Sequence, residues 1–219
     1  MYFQSTLFHP RGQQTFIYNE VLRHVDANRL GKDVKQLLIL VHGSASSGKT
    51  SLLCGLFDFI SDHHSPTLAF KGAATEHGAA LIGGVPMEFI PHVTIMDCGQ
   101  EYFFVDVGSA LEMGVLTGWS EQLNKMYGCE GASSYFGHRN VVVFADIHQL
   151  APLRNRNQVF WLHNNPITHK FLSNVHWLDT EPIHDRTSNT FLDTIRLATT
   201  GRDDVQLLNA GVVKTIYTV

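Results

Sequence analysis

The chain has 219 residues, 44% of them hydrophobic and 16% charged, and its 16 Lys and Arg against 20 Asp and Glu give a formal net charge of -4. This composition excludes a chain disordered as a whole and any broad electrostatic footprint for nucleic acid, although a local groove can still be basic. Cys54, Cys98 and Cys129 are odd in number and form no C-x-x-C pair, which argues against a disulfide framework or a zinc knuckle.

No apolar run approaches the roughly 20 residues needed to span a bilayer, and no charged-then-apolar leader opens the chain. A soluble, intracellular protein with no membrane partner is expected. Tyr2-Phe3-Gln4-Ser5 looks like the remnant of a protease-cleavable expression tag, so residues 1–5 are set aside and 6–219 are expected to form one domain. The histidines sit mostly singly, with no helical His-x-x-x-His, and no transition metal is assigned.

In chain order, Phe16, Val21, Leu22 and Val25 recur at helical spacing before Gly31, which predicts a helix over 13–29. Residues 36–41 are short and uniformly apolar, as in a strand buried on both faces. A helix is expected over 49–60, a strand over 67–70, a short helix over 78–82 and a strand over 102–107. A helix over 110–126 and a buried strand over 140–145 come next. The stretch with Pro152, Asn155, Asn157, Asn164, Asn165 and Pro166 reads as loop, then a strand over 175–178 and a helix over 190–199 that Gly201 ends. The alternation of strand and helix implies an α/β fold, a mainly parallel sheet sandwiched between helices.

One stretch carries specific chemistry. Gly43-Ser44-Ala45-Ser46-Ser47-Gly48-Lys49-Thr50 matches G-x-x-x-x-G-K-[ST] in full, between a buried strand and a helix. Small residues let successive N–H groups turn inward around phosphate oxygens at a helix N-terminus. Lys49 supplies a mobile cation and the Thr50 hydroxyl can ligate Mg2+, with Ser51 next in the first turn. The pattern predicts a bound nucleoside triphosphate. Two apolar strands end in an acid at the sheet edge where such ligands bind, at Asp106 and at Asp146.

The residues around and after the second acid point to a family. "VVVFADIHQLAPL" resembles the G-D-x-x-Q-L-x-P motif of the superfamily one helicases of the RecD type, including the petite-integration-frequency DNA helicases. "FHPRGQQTF" looks like that family's entry segment, "GAATEHGAALIGGVPMEF" is similar to its DNA-leading segment, and "YFFVDVGSALEM" takes the place of its D-E-x-S-M motif. "YFGHRNVVVFAD" matches its F-G-G lead, and "LDTEPIHDRTSNTFLDTIRLATTG" resembles the segment that carries an arginine to the γ-phosphate. The likeness covers roughly residues 7–210.

The resemblance implies a RecA-like P-loop NTPase lobe that binds ATP and Mg2+ and coupling of hydrolysis to movement along single-stranded DNA in a full enzyme. It also implies a nuclear or other DNA-containing compartment in a eukaryote. Under it, Gln13, or alternatively Gln14, reads the adenine. Asp106 associates with magnesium alongside Thr50, Gln149 senses the γ-phosphate, and Arg186 neutralises transferring charge.

The sequence departs from the family at telling places. The glutamate that orients and deprotonates water is replaced by Val107, which can do neither. Glu101 lies about 16 Å back along the strand at roughly 3.3 Å per residue, too far to substitute, while Glu112 and Asp146 stay open as replacements. Ala145 stands where the glycine before the acid should be. Thr75-Glu76 replaces T-G, and Pro86-Met87-Glu88-Phe89 replaces T-x-H-S, which puts two carboxylates on a surface that should face phosphates. Phe89 is weighed as a buried aromatic ahead of a base-stacking one. The sequence holds no second set of helicase motifs, so unwinding by this chain alone is not expected. Two functions remain: a helicase motor lobe with weakened hydrolysis, or a nucleotide-binding scaffold for a protein partner. A small-molecule kinase fits less well, because no arginine-bearing lid occurs over 110–135.

Overall fold

The computed structural model describes residues 8–44, 46–89, 99–108, 112–129, 131, 134–146 and 164–178. Ala45, Gln149, Arg186 and the helix expected over 190–199 lie outside them. Eleven helices and strands succeed one another among the described residues: α1 (Gln13–Arg29), β1 (Leu38–Gly43), α2 (Lys49–His63), β2 (Ala69–Ala73), α3 (Glu76–Ile82), β3 (Val85–Pro86), β4 (Tyr102–Gly108), α4 (Met113–Met126), β5 (Asn140–Ala145), α5 (Pro166–Leu172) and β6 (Val175–Leu178). The strands form one sheet in the order β3-β2-β4-β5-β1-β6, with every pairing parallel.

The uniformly apolar strands are explained by burial on two faces. All six residues of both β1 and β5 are buried. Because side chains alternate along a strand, Ile39, Val41, Phe104, Val142 and Phe144 face one layer. There they meet Ile17, Val21 and Val25 of α1 and Leu52, Leu53, Leu56 and Ile60 of α2. Leu38, Leu40, Phe103, Val105, Val141 and Val143 face the other layer, against Leu116, Trp119 and Leu123 of α4 and Ile167 and Phe171 of α5. An aromatic chain knits this second core. Phe103 meets Trp119 at 5.5 Å, Trp119 meets Phe136 at 5.1 Å, and Phe136 meets Phe171 at 6.0 Å, mutually tilted as ring quadrupoles favour.

Three differences from the sequence expectations have local causes. β1 runs on to Gly43, so the strand reaches the first residue of the phosphate motif. β3 is only two residues long and ends in Pro86 at the sheet edge, a position that needs no ladder donor. The segment read as loop contains α5. Asn165 caps it, its side chain accepting from the Ile167 N–H at 2.9 Å, and Pro166 takes the first helical position.

At the N-terminal edge of the sheet a cavity of about 330 Å³ is lined by His24, Asn28, Gln36, Glu101, Arg139 and Asn140 among others. Most of its polar groups bond to one another or to backbone. Asn28 donates to the Glu101 carboxylate at 2.8 Å, and Gln36 donates to the Tyr135 and Arg139 carbonyls. The His24 Nε2 lies 2.8 Å from the Lys35 carbonyl, which can only accept, and its Nδ1 lies 3.0 Å from the Tyr102 hydroxyl. Burial pushes the Tyr102 phenol well above its ordinary range. The neutral form is therefore the one the fold favours. The stability it lends is complete below about pH 10, where the unfolded phenol titrates, and is lost as pH rises toward the higher folded value. Denaturant midpoints across that range are expected to fall, and Tyr102→Phe to make the fall shallower.

Candidate functional site

The phosphate motif occupies the turn between the C-terminal end of β1 and the start of α2, with β4 and β5 ending beside it. In open α/β sheets this edge is where ligands gather. Its shape depends on two glycines. A Cβ on Gly43 would overlap Ser47 Oγ and lie 3.1 Å from the Leu178 Cβ. Gly48 sits at φ +82°, in the left-handed region, where a Cβ would also overlap the Gln14 side chain. Ser46 is left-handed as well, at φ +63°. Such turns are how a short loop presents several N–H groups to one centre. Gly48 is the N-cap of α2 and has no side chain with which to cap the first N–H groups of the helix.

Lys49 is 9% exposed, and its Nζ donates to the Gly43 carbonyl at 2.7 Å and the Ser44 carbonyl at 2.8 Å. An ammonium group has three donors, and two of them hold the loop carbonyls. Ser47 is 7% exposed, and its buried hydroxyl finds no hydrogen-bond partner among the described residues. A buried hydroxyl without a partner costs about 1–3 kcal/mol. An anion in the loop would relieve that cost, so the group fits a phosphate.

The second half of the site comes from β4. Thr50, in the first turn of α2, donates its hydroxyl to Asp106 Oδ2 at 3.0 Å. Register explains the meeting. Tyr102, Phe104 and Asp106 point to the same side of β4, and the first two pack into the core that α1 and α2 cover. Asp106 is therefore the member of the series that emerges at the strand end, facing the helix that starts at the loop. A hydroxyl and a carboxylate at hydrogen-bond distance beside a phosphate cradle are the oxygen ligands that a hydrated Mg2+ takes. Immediately after Asp106 the β4–β5 register slips: Asp106 opposes Phe144 and Gly108 opposes Ala145, leaving Val107 as the extra residue of a bulge. Bulges commonly re-aim the chain beside an active site.

The structure thus brings together Gly43, Ser44, Ser46, Ser47, Gly48, Lys49, Thr50 and Ser51 with Asp106. Of the other acids considered, Glu101 is at the opposite sheet edge and bonds Asn28, as its distance along the strand implied. Asp146 is fully buried at the end of β5, and Glu112 is the half-buried N-cap residue of α4.

Gln14 reaches the loop. Its Nε2 donates to the Ser47 and Gly48 carbonyls, each at 3.4 Å, and its Oε1 accepts from the Arg11 N–H at 3.2 Å. Gln13 is the exposed first residue of α1. No local sequence signal reveals the Gln14 contact, which spans more than thirty positions.

Farther along the same edge, Thr75 caps α3 by accepting from the Gly78 N–H at 3.0 Å, and Glu76 lies exposed in the first turn, where the helix dipole favours an acid. This pair has a local structural role of its own. Phe89 corrects an expectation: the ring read as buried is 47% exposed, because it closes a short 3-10 turn after Met87, and Met87 takes the core position instead. Trp177, 55% exposed on β6, stands edge-on to His42 at 4.5 Å.

No protein-family model matches the chain, and no curated protein sequence does. Solved structures do. A Pif1 helicase from Candida albicans superposes with a TM-score of 0.69 at 17% identity, over 94% of this chain and 47% of that one. A Bacteroides Pif1 bound to single-stranded DNA gives 0.67 at 18% identity, over 91% and 49%. A Bacteroides Pif1 in complex with ADP-AlF4 gives 0.62 at 18% identity, over 91% and 49%. The fold is therefore the RecA-like one that these helicases contain, and the chain spans about half the length of each. No described helix is long and apolar enough to cross a membrane.

Proposed function

We propose that the chain is an ATP-binding motor lobe of a RecD- and Pif1-type DNA helicase, with hydrolysis weakened by Val107. The reading rests above all on the 3.0 Å hydrogen bond from Thr50 to Asp106, which joins the phosphate loop to the strand-end acid. Bound Mg-ATP supplies the phosphoryl group whose transfer to water drives such motors. The loop amides and Lys49 would hold its phosphates, Thr50 and Asp106 would hold magnesium and its waters, and the Ser47 hydroxyl, which has no partner among the described residues, would gain one.

Gln149 and Arg186 take their roles, γ-phosphate sensing and charge neutralisation, from the resemblance in sequence. Single-stranded DNA is the proposed second ligand, since one of the similar Pif1 structures is described as bound to it. Exposed Phe89 supplies a surface on which a base could stack.

Phosphate release measured with and without a single-stranded oligonucleotide tests this reading. Slow release that the oligonucleotide stimulates, and that Lys49→Ala removes, is the expected result. Equal release from both proteins would remove the catalytic assignment.

A second reading, a nucleotide-binding scaffold that has lost helicase chemistry and docks a protein partner, draws on Val107 and on Glu76, exposed at the start of α3. Tight Mg-ATP binding with neither release nor DNA binding would favour it.

A further inference from the structure

Gln14 does more at this site than neighbour it. We infer that Gln14 is a positioning residue for the phosphate loop, acting on phosphate affinity through the backbone rather than on the base, an inference that rests on the nucleotide-binding reading above. The amide nitrogen of Gln14 lies 3.4 Å from two carbonyl oxygens, those of Ser47 and Gly48. Each belongs to a peptide unit whose N–H is that of the next residue, Gly48 and Lys49 respectively. A trans peptide is planar, so its C=O and N–H point to opposite sides. A donor that holds these two oxygens on the outside of the turn therefore turns the Gly48 and Lys49 N–H groups toward the inside. Those are the amides where the loop passes into the helix N-terminus, the place where phosphate-binding donors converge.

The rest of the local structure serves this contact. Gln14 Oε1 accepts from the Arg11 N–H, which sets the orientation of its amide and turns the nitrogen to the loop. The Gln14 amide also takes the space beside Gly48 that a Cβ would fill, so glycine at that position and glutamine on α1 are matched. Gly48 itself stays left-handed, a conformation the helix does not enforce. The Gly48 carbonyl additionally accepts from the Leu52 N–H at 2.9 Å, so Gln14 adds a second donor at the same oxygen.

The test compares inorganic tripolyphosphate with Mg-ATP on the full chain, by calorimetry, for the natural protein, Gln14→Met and Gln14→Glu. Methionine keeps the length and loses the donors. Glutamate keeps the shape and sets a carboxylate against two carbonyls. Losing two neutral hydrogen bonds is expected to weaken tripolyphosphate about tenfold in Gln14→Met, and more in Gln14→Glu, with the same factor for Mg-ATP. The Gly48 amide resonance, observed in the unliganded proteins, is expected to shift in both variants while the rest of the spectrum stays native.

A variant that loses Mg-ATP but binds tripolyphosphate normally would show that Gln14 reads the base, and the inference would fall. Unchanged affinity for both ligands with an unmoved Gly48 resonance would overturn it as well. If the natural chain binds neither ligand, the nucleotide reading fails first and takes this inference with it.

Discussion

Val107→Glu is expected to raise ATP turnover by about a hundredfold or more, read as phosphate release from the folded variant beside the natural chain. A positioned general base contributes roughly a hundredfold to ten-thousandfold. The other parts of the site are in place without it: a left-handed Gly48, a buried Lys49 amine and Thr50 bonded to Asp106. Val107 comes directly after Asp106, at the bulge where β4 carries one residue more than β5. A glutamate there would stand one residue from Asp106, the acid proposed to hold magnesium. The nearby carboxylate of Asp106 would push its proton affinity up, toward neutrality, where a base works best. Of the acids weighed as replacements, Glu101 bonds Asn28 at the far edge and Asp146 is fully buried, which leaves Glu112, the half-buried N-cap residue of α4. An unchanged rate would mean that some other residue already serves as base, and the account of weakened hydrolysis would be wrong.

Lys49→Ala is expected to weaken Mg-ATP by about a hundredfold, because a hydrogen bond to a charged group is worth about 1.5–3 kcal/mol and the lost partner here is itself a cation. The ammonium is nearly enclosed and already anchored by the Gly43 and Ser44 carbonyls, so its position is set before any ligand arrives. Lys49→Arg is not expected to rescue binding, since a planar fork cannot take the place of a compact ammonium in so small a turn. Melting midpoints of both variants separate this effect from loss of fold. A Lys49→Ala protein that binds Mg-ATP as tightly as the natural one would remove the lysine from the site.

The layered fold and the phosphate loop were legible in the sequence because their signals are local. Five apolar residues in a row make sense only between two packed layers, and β1 and β5 are buried along their full lengths. The bounds of α1 agree with those its apolar spacing predicts. Even α5 left a readable mark, an Asn-Pro pair that opens a helix as readily as it makes a loop. Two-residue β3 left none.

The relation between distant parts was harder to read. That Gln14 meets the loop depends on how the first turn of α1 docks. A one-residue change would turn its side chain by about 100° on a helix of 3.6 residues per turn. Phe89 read as core from its aromatic type alone, yet Met87 fills the core and the ring stays out. Asp106 and Thr50 could be named from motifs, but their 3.0 Å contact required the register of β4 against α2.

Titration of Mg-ATP into the natural chain and into Asp106→Asn, monitored by calorimetry with magnesium present and then chelated, bears most directly on the paired Thr50 and Asp106. Saturable heat in the natural chain, sharply reduced both by chelation and by Asp106→Asn, is the predicted result. Absence of heat at millimolar nucleotide, or binding indifferent to magnesium and to the Asp106 carboxylate, would contradict the account.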